Sequence, residues 1–247
     1  MGNSGKKTIE VGILLAPSIS FELEGNYGSY TGIYTATAAN GQVRLQDKEQ
    51  ERFVFEPHDD NASFVLKDVI IGIEFHWERK EDQRFRGSLV LIPENNMVRA
   101  VNVLTVEDYL ISVIASEMSA TSTLEYLKAH AVISRSWLLS QIEKRQGIAQ
   151  QQTEVYPGEV RTDQEWIKWW DREDHTLFDV CADDHCQRYQ GITRPSQSME
   201  NVSEAVIQTA GEVLTYEGKI CDARFSKCCG GIMERFSTSW EPSEHPY

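Results

Sequence analysis

The stretch Val101–Trp137, VNVLTVEDYLISVIASEMSATSTLEYLKAHAVISRSW, decides how this chain is organised. At Thr105 the spacing of apolar residues changes from a period of about two to a period of about 3.6, which marks a change from strand to helix. One apolar helical stripe follows, made of Val106, Tyr109, Leu110, Val113 and Ile114. The stretch therefore predicts a strand that leads directly into an amphipathic helix.

A second helix is predicted after a short polar break. Ser122 to Glu125 matches the Ser-x-x-Glu pattern of a capping box, which satisfies backbone N–H groups at the start of a helix. The apolar stripe of this helix comprises Leu124, Leu127, Ala131 and Leu138. The two helices are expected to form a helical hairpin.

Upstream of this point, residues 8–104 indicate a β-rich module of the sandwich or barrel type. Val69–Trp77 is the strongest predicted strand, Glu78–Gln83 a charged turn, and Pro93–Asn96 the loop of a hairpin. The remaining predicted strands are Thr8–Leu15, Ser20–Glu24, Gly32–Thr37, Gln42–Leu45, Arg52–Phe55, Ser63–Leu66, Arg84–Ile92 and Met97–Leu104.

Downstream, residues 105–247 form a helical and mixed region with further short strands. Trp166, Trp169 and Trp170 stand at helical spacing, and Ser203–Ala210 predicts a short helix. The expected fold class is α+β, with a β-rich module over 1–104 followed by this region over 105–247.

The composition limits the classes of function. The chain has 247 residues, of which 40% are hydrophobic, and a formal net charge of −14. Nucleic-acid binding usually needs a basic surface to neutralise phosphates, so this acidic composition argues against nucleic acid as a ligand. No run approaches the roughly 20 apolar residues of a membrane span.

Glu117 is the first candidate catalytic residue. It continues the apolar stripe of the first helix, where desolvation favours the protonated acid that cleavage of a glycosidic bond requires. Arg135 has a matching position on the apolar face of the second helix. From spacing alone, a catalytic acid beside an arginine and a structural Glu–Arg pair remain equal alternatives.

All five cysteines lie in the last third of the chain, and they form two groups. His175, Cys181 and Cys186 follow the pattern H-x5-C-x4-C, with His185 beside the second cysteine. Thiolates and imidazoles are good zinc ligands, and zinc with three protein ligands leaves a fourth position for water or substrate. A Cys181–Cys186 disulfide and two buried thiols are the alternatives. Cys221, Cys228 and Cys229 are expected to pack or pair locally.

Over about residues 84–247 the chain resembles the stage II sporulation protein D (SpoIID/LytB) family. The Val101–Trp137 stretch resembles the family's N-x-L-x-x-E-x-Y-L-x-x-V, E-M and ALKAQAVAAR-[ST]-[YW] motifs. HTLFDVCADDHCQRYQG, from His175 to Gly191, resembles its F-D-V-C…C-Q-x-Y-x-G motif. SEAVIQTAGEVLTYEGKICDARFSKCCGG, from Ser203 to Gly231, resembles the run that ends in its double glycine.

The resemblance implies a peptidoglycan lytic transglycosylase, which cuts between N-acetylmuramic acid and N-acetylglucosamine and leaves a 1,6-anhydro end. The catalytic glutamate of the family's E-M motif corresponds to Glu117, and its functional arginine to Arg135. Zinc is the cofactor that the resemblance implies, held by His175, Cys181 and Cys186. The expected substrate-binding residues are Phe225, Ser226, Lys227, Gly230 and Gly231, although a solvated surface lysine is an equal alternative for Lys227. The expected substrate is the glycan strand, stripped of stem peptides, and the expected location is the cell envelope after export.

Two points leave the function open. Ser119 stands where the family usually has proline after the E-M pair, which puts contacts to the substrate in doubt. Some relatives are non-catalytic wall-binding proteins that enhance a partner amidase, and this is the alternative function. A zinc hydrolase of the HExxH type is disfavoured because the chain lacks that motif.

Overall fold

The computed structural model describes residues 7–73, 75–148, 159–168, 175–192, 199–226 and 228–240. The chain divides into two compact units. The first comprises Met1–Ala131 and His175–Ala210, and the second Val132–Asp174 and Gly211–Tyr247. The combination of helices with several sheets confirms the α+β fold class.

Two sheets make up most of the first unit. The five-stranded sheet has the order β13-β1-β10-β9-β6 and the six-stranded sheet the order β5-β4-β3-β2-β7-β8. The strands are β1 (Thr8–Ala16), β2 (Ser18–Tyr27), β3 (Tyr30–Ala39), β4 (Gln42–Leu45), β5 (Lys48–Gln50), β6 (Phe53–Phe55), β7 (Ser63–Ile71), β8 (Arg79–Phe85), β9 (Ser88–Glu94), β10 (Met97–Thr105) and β13 (Val180–Cys181).

An apolar core fills the space where β9 and β10 contact β2, β3 and β4. Along β2 the buried residues alternate with more exposed ones, as Ile19, Phe21 and Leu23 show. This alternation follows from the two-residue period of a strand, and it places one face of each sheet inside. The β-rich segment predicted before the helices thus consists of two sheets that share one apolar core.

The predicted hairpin between β9 and β10 is confirmed, but its loop is shorter than the predicted Pro93–Asn96, because Pro93 and Glu94 belong to β9. Its two loop residues, Asn95 and Asn96, have φ values of 50° and 60°. Two consecutive residues with positive φ make the type I′ turn that suits the twist of a hairpin, and asparagine tolerates this conformation.

The predicted strand Val69–Trp77 and the predicted turn Glu78–Gln83 were wrong. Strand β7 runs through a bulge between Leu66 and Val69 and ends at Ile71. Gly72, at a φ of +69°, begins the turn instead, and the charged segment belongs to β8. Strand β8 lies at the edge of its sheet, where charged side chains are exposed to solvent and so are tolerated.

Helix α1 (Val106–Glu117) confirms the predicted stripe. Thr105 caps it, since its Oγ1 accepts a hydrogen bond of 3.1 Å from the Asp108 N–H. All five stripe residues are buried, and the helix packs against α3 (Met199–Gln208). Helix α1 therefore has a fixed beginning and a buried face, so the position of its last residue is well defined.

Helix α2 (Leu124–Ile148) begins one residue later than the capping-box pattern predicted. Thr123, rather than Ser122, is the capping residue, because its Oγ1 accepts from the Tyr126 N–H at 3.4 Å. Glu125 forms an ion pair with Lys128 at 2.8 Å. The reciprocal contact of a capping box is therefore replaced by a pair within the first turn.

The helical interpretation of the tryptophan-rich segment was also wrong. Trp166 lies in β12 (Trp166–Lys168), which pairs with β11 (Glu159–Arg161). Trp169 and Trp170 lie outside the described residues. A hairpin of β14 (Thr215–Tyr216) and β15 (Lys219–Ile220) and the short α4 (Phe236–Ser239) complete the elements. Among the described helices, none is long and apolar enough to cross a membrane.

Candidate functional site

Glu117 is the last residue of α1, and its side chain is half-buried. The stripe that predicted a core-facing position stops at Ile114, so the carboxylate lies at the margin of the core. Its Oε1 accepts a hydrogen bond of 2.7 Å from the backbone N–H of Arg188, 71 residues away. In the described part of the chain, Oε2 makes no hydrogen bond. The protein therefore holds Oε1 in place, and Oε2 is left to contact a ligand.

The residues after Glu117 form a polar turn that is tied to α2. The Tyr126 hydroxyl donates to the Met118 Sδ at 3.3 Å. Ser119, which stands where the family usually has proline, lies 2.8 Å from the Thr121 hydroxyl through its own hydroxyl, and its carbonyl accepts from the Ser122 N–H at 3.0 Å. Hydrogen bonds of the Ser119 side chain therefore restrain the turn in place of a proline ring.

The segment 175–192 is held against the first sheet and α1 along its length. Strand β13 adds to β1 in parallel, and the Asp179 and Ala182 N–H groups donate to Glu10 and Gly12 carbonyl oxygens, both at 2.9 Å. Further along, the Gln190 N–H donates to the Ser112 hydroxyl at 3.2 Å. These bonds fix the backbone on both sides of the Arg188 N–H that contacts Glu117.

Tyr189 anchors the same segment in the core. Its ring stacks on Tyr109 of α1 with centroids 5.2 Å apart, and its hydroxyl donates to the Asn102 Oδ1 at 2.6 Å. Asn102 in turn donates to the Arg86 and Ser88 carbonyl oxygens. Asn102 and Tyr109 therefore hold Tyr189, the residue that follows Arg188. All three residues belong to the motifs recognised in the sequence.

Gly12 provides the space in which this segment packs, which leads to a testable prediction. A Cβ at Gly12 would lie 2.6 Å from the ring of Phe178, which is itself buried against Val90 and Val101. We expect Gly12→Ala to destabilise the protein by about 1–3 kcal/mol through overpacking, measured by chemical denaturation. The double change Gly12→Ala with Phe178→Leu should recover part of this loss. Unchanged stability of Gly12→Ala would show that the ring has room to move.

His175, Cys181, His185 and Cys186 form a compact cluster. Their ligand atoms all lie within 4.8 Å of one another. His185 Nδ1 lies 3.4 Å from the Cys186 sulfur and 4.0 Å from the Cys181 sulfur, and His175 Nε2 lies 3.5 Å from the Cys186 sulfur. Nitrogen and sulfur ligands around a tetrahedral zinc ion are separated by about 3.3–3.8 Å. The donor types therefore fit zinc, and the two separations that involve the Cys186 sulfur, 3.4 and 3.5 Å, fall within this range.

The electrostatics of the cluster favour a thiolate. Hydrogen bonding with Cys186 lowers the pKa of the Cys181 thiol strongly, and hydrogen bonds with His175 and His185 add to this effect against the opposing effect of burial. All five cysteines are free in this structure. A deprotonated thiol is the form that binds a metal ion.

The Tyr109 hydroxyl is fully buried near these groups. Burial raises its pKa well above the usual value, and the charges of Cys186, Cys181, Tyr189 and Glu117 add to the effect. Among the described residues, this hydroxyl has no hydrogen-bond partner. The charges of Cys181, Cys186 and Glu117 thus all raise the pKa of the same buried hydroxyl group, that of Tyr109.

Arg135 lies in α2 within the second unit, where its side chain is buried. Its Nη1 donates to the Glu212 carbonyl oxygen at 3.1 Å. The neighbouring Ser136 hydroxyl accepts from the Leu214 N–H at 2.8 Å and donates to the Val132 carbonyl oxygen at 2.6 Å. Arg135 and Ser136 therefore hold the segment after α3 against α2. Whether Arg135 shares the environment of Glu117 stays a prediction.

The predicted substrate-binding segment also lies in the second unit. Phe225 is half-buried, Ser226 is exposed, and Lys227 lies outside the described residues. Gly230 and Gly231 have φ values of 66° and 107°, and a Cβ at either would meet no atom within 4 Å among those described. The double glycine is therefore required by backbone conformation.

Two features of the site were missed by sequence reasoning. His185 completes a four-residue donor set where three ligands were expected, and its place beside Cys186 was the available signal. The Arg188 contact to Glu117 uses a backbone N–H, which every residue except proline has. No pattern of side chains could have identified it.

Comparison with known proteins places these residues in a family. The model of the Stage II sporulation protein family, SpoIID, matches residues 94–216. Stage II sporulation protein D of Bacillus subtilis is 27% identical over 191 residues, which cover 77% of this chain and 51% of that protein. An uncharacterised protein of Brachyspira hyodysenteriae is 30% identical over 182 residues, which cover 74% of this chain and 37% of that protein. The chain thus matches about a third to a half of the length of these relatives.

Proposed function

The chain belongs to the stage II sporulation protein D (SpoIID) family, and from this premise we propose that it is a peptidoglycan lytic transglycosylase. Its substrate is the glycan strand, and the bond that it cuts joins N-acetylmuramic acid to N-acetylglucosamine. This substrate lies on the wall side of the membrane, so the protein acts in the cell envelope.

The observation that carries the proposal is the hydrogen bonding of the Glu117 carboxyl group. One oxygen is held by the Arg188 N–H at 2.7 Å, and Oε2 makes no hydrogen bond among the described residues. A residue that both gives and receives a proton needs a fixed orientation and one accessible oxygen. The half-buried Glu117 has one oriented oxygen and one that is not used in a hydrogen bond with the described residues, and it belongs to the E-M pair of the family motif.

A single acid/base is sufficient for this reaction. Glu117 donates its proton to the glycosidic oxygen as the bond from that oxygen to C1 of the muramyl residue breaks. The C6 hydroxyl of the same residue then attacks C1, and its proton passes to Glu117. The ring closes to a 1,6-anhydro product, no water is consumed, and Glu117 is protonated again. Paired-carboxylate hydrolases, in contrast, need a second carboxylate to activate water or to act as nucleophile.

The surrounding residues have positioning roles in this mechanism. Asn102, Tyr109 and Tyr189 fix the segment that supplies the Arg188 N–H, and the hydrogen-bonded Ser119 turn follows Glu117 in the chain. We assign to Arg135 the support of residues 212–214 through the Glu212 carbonyl oxygen. The segment from Phe225 to Gly231 is the proposed substrate-binding loop of the second unit.

Zinc fits the four donors His175, Cys181, His185 and Cys186, and we propose that these residues hold it. With four protein ligands, zinc stabilises folded structure and contributes no open coordination position. In this protein it would brace residues 175–186 next to Arg188. The acid/base chemistry stays with Glu117.

The proposal is tested with the purified protein and glycan strands from which an amidase has removed the stem peptides. We expect mass spectrometry to detect soluble products that end in 1,6-anhydro-N-acetylmuramic acid. Strands that retain stem peptides, assayed in parallel, show whether removal is required. Products with a reducing end would identify a hydrolase instead. Binding without any cleavage would refute the enzyme and favour the wall-binding protein that enhances an amidase.

A further inference from the structure

The turn between β7 and β8 carries exposed aromatic surface. The Phe75 side chain is 51% exposed and Ile73 is 50% exposed. Two backbone hydrogen bonds connect the described residues of the turn: the Phe75 N–H donates to the Gly72 carbonyl oxygen at 3.0 Å, and the Glu78 N–H donates to the Phe75 carbonyl oxygen at 2.9 Å. Exposed apolar side chains are informative where they form a contiguous surface, because such surfaces mark binding sites while single exposed side chains do not.

The Trp77 ring packs against one face of the Phe75 ring. The two rings are stacked, with centroids 5.4 Å apart and planes 13° apart. Trp77 is half-buried and lies directly against Gly72, where a Cβ would approach its ring to 2.2 Å. The turn therefore presents a supported aromatic platform with one exposed face.

Arg188 links this platform to Glu117. The carbon of its guanidinium group lies 5.0 Å from the centre of the Trp77 ring, on which it makes a cation–π contact. An ion pair with Asp184 at 3.1 Å orients the same group. The backbone N–H of Arg188 holds the Glu117 Oε1. Arg188 thus contacts the aromatic platform through its side chain and the Glu117 carboxylate through its backbone N–H.

We infer that Phe75 and Trp77 form a sugar subsite next to the bond that Glu117 cuts, with Arg188 as the residue that positions both. This inference rests on the proposed function. The C–H face of an N-acetylated pyranose is apolar and flat, so it packs on an aromatic ring, and the guanidinium offers hydrogen-bond donors at the edge of the platform. The turn lies before residues 94–216, which match the family model, whereas Glu117 and Arg188 lie within them.

The test measures binding and catalysis separately. Binding of soluble glycan oligosaccharides without stem peptides is measured by calorimetry in a Glu117→Gln background, where no cleavage interferes. We expect Phe75→Ala to raise the dissociation constant by about 3- to 10-fold, the range for one aromatic stacking contact. With Glu117 present, the same substitution should raise KM by a similar factor and change kcat less. Phe75→Tyr keeps the ring and should retain binding.

Ile33→Ala is the matched control, because Ile33 is an exposed apolar side chain of the same β module, 69% exposed on β3. It should bind as the parent does. Equal binding by Phe75→Ala and the parent, in a protein that cleaves glycan, would overturn the subsite and leave the proposed function intact. Weaker binding by Phe75→Ala in a protein that binds but never cleaves would support the subsite while the lytic reaction fails. Absence of any glycan binding by the parent would overturn the subsite.

Discussion

Glu117→Gln is expected to lower the release of 1,6-anhydromuramyl products by at least about 100-fold, the lower bound for loss of a general acid/base. Glutamine is nearly isosteric, and its amide oxygen can still accept the Arg188 N–H. It cannot deliver a proton to the glycosidic oxygen or receive one from the C6 hydroxyl. The release of products from stem-peptide-free glycan, quantified by mass spectrometry, is the measurement.

Glu125→Gln is the control for this substitution. Glu125 is a largely exposed glutamate at the start of α2 and pairs only weakly with Lys128 across solvent. Its replacement should leave the rate unchanged. Binding of glycan by Glu117→Gln should equal that of the parent, because a proton-transfer role adds little to ground-state binding. If Glu117→Gln retains more than a tenth of the parent rate, the acid/base lies elsewhere.

Loss of zinc is the second change with a large expected effect. We expect the purified protein to contain one zinc ion per chain, measured by elemental mass spectrometry. Cys181→Ser should abolish zinc binding. It should also lower the melting temperature by roughly 10 °C or more, since zinc bound at a structural site contributes many kcal/mol to folding. His185→Ala tests the fourth ligand, and it should weaken zinc binding while His175, Cys181 and Cys186 retain part of the site.

Cys228→Ser is the matched control, because Cys228 is an exposed cysteine outside the cluster. It should change neither the zinc content nor the melting temperature. A protein without zinc whose mass is about two hydrogens lower than that of the reduced chain would support the Cys181–Cys186 disulfide and contradict the metal site. Chelation should reduce the lytic rate through disorder of residues 175–192, so the loss of rate should follow the loss of structure.

The main elements of the fold could be predicted because local sequence determines them. The stripe from Val106 to Ile114 repeats with the period of a helix, and each of its members is buried. The loop Pro93–Asn96 between two apolar runs predicted a hairpin, and the structure narrows its turn to Asn95 and Asn96. The errors came where tertiary context outweighed local preference. The charged residues of β8 are accommodated at a sheet edge, and Gly72 ends β7 to let the chain turn back.

The amino-acid sequence alone determined the family, the helix that ends at Glu117, and three residues of the His/Cys cluster, which are His175, Cys181 and Cys186. These features depend on side-chain types at fixed spacing, which a sequence records directly. Only the tertiary structure showed that the Arg188 N–H holds the Glu117 carboxylate and that His185 joins the His/Cys cluster. Only the tertiary structure also showed that the Arg188 side chain contacts Trp77, which stacks on Phe75. The contacts of Arg188 with Glu117 and with Trp77 join residues about 70 and 110 positions apart, and the first of them uses a backbone N–H. Their physical basis is the packing of distant segments, which no local pattern encodes.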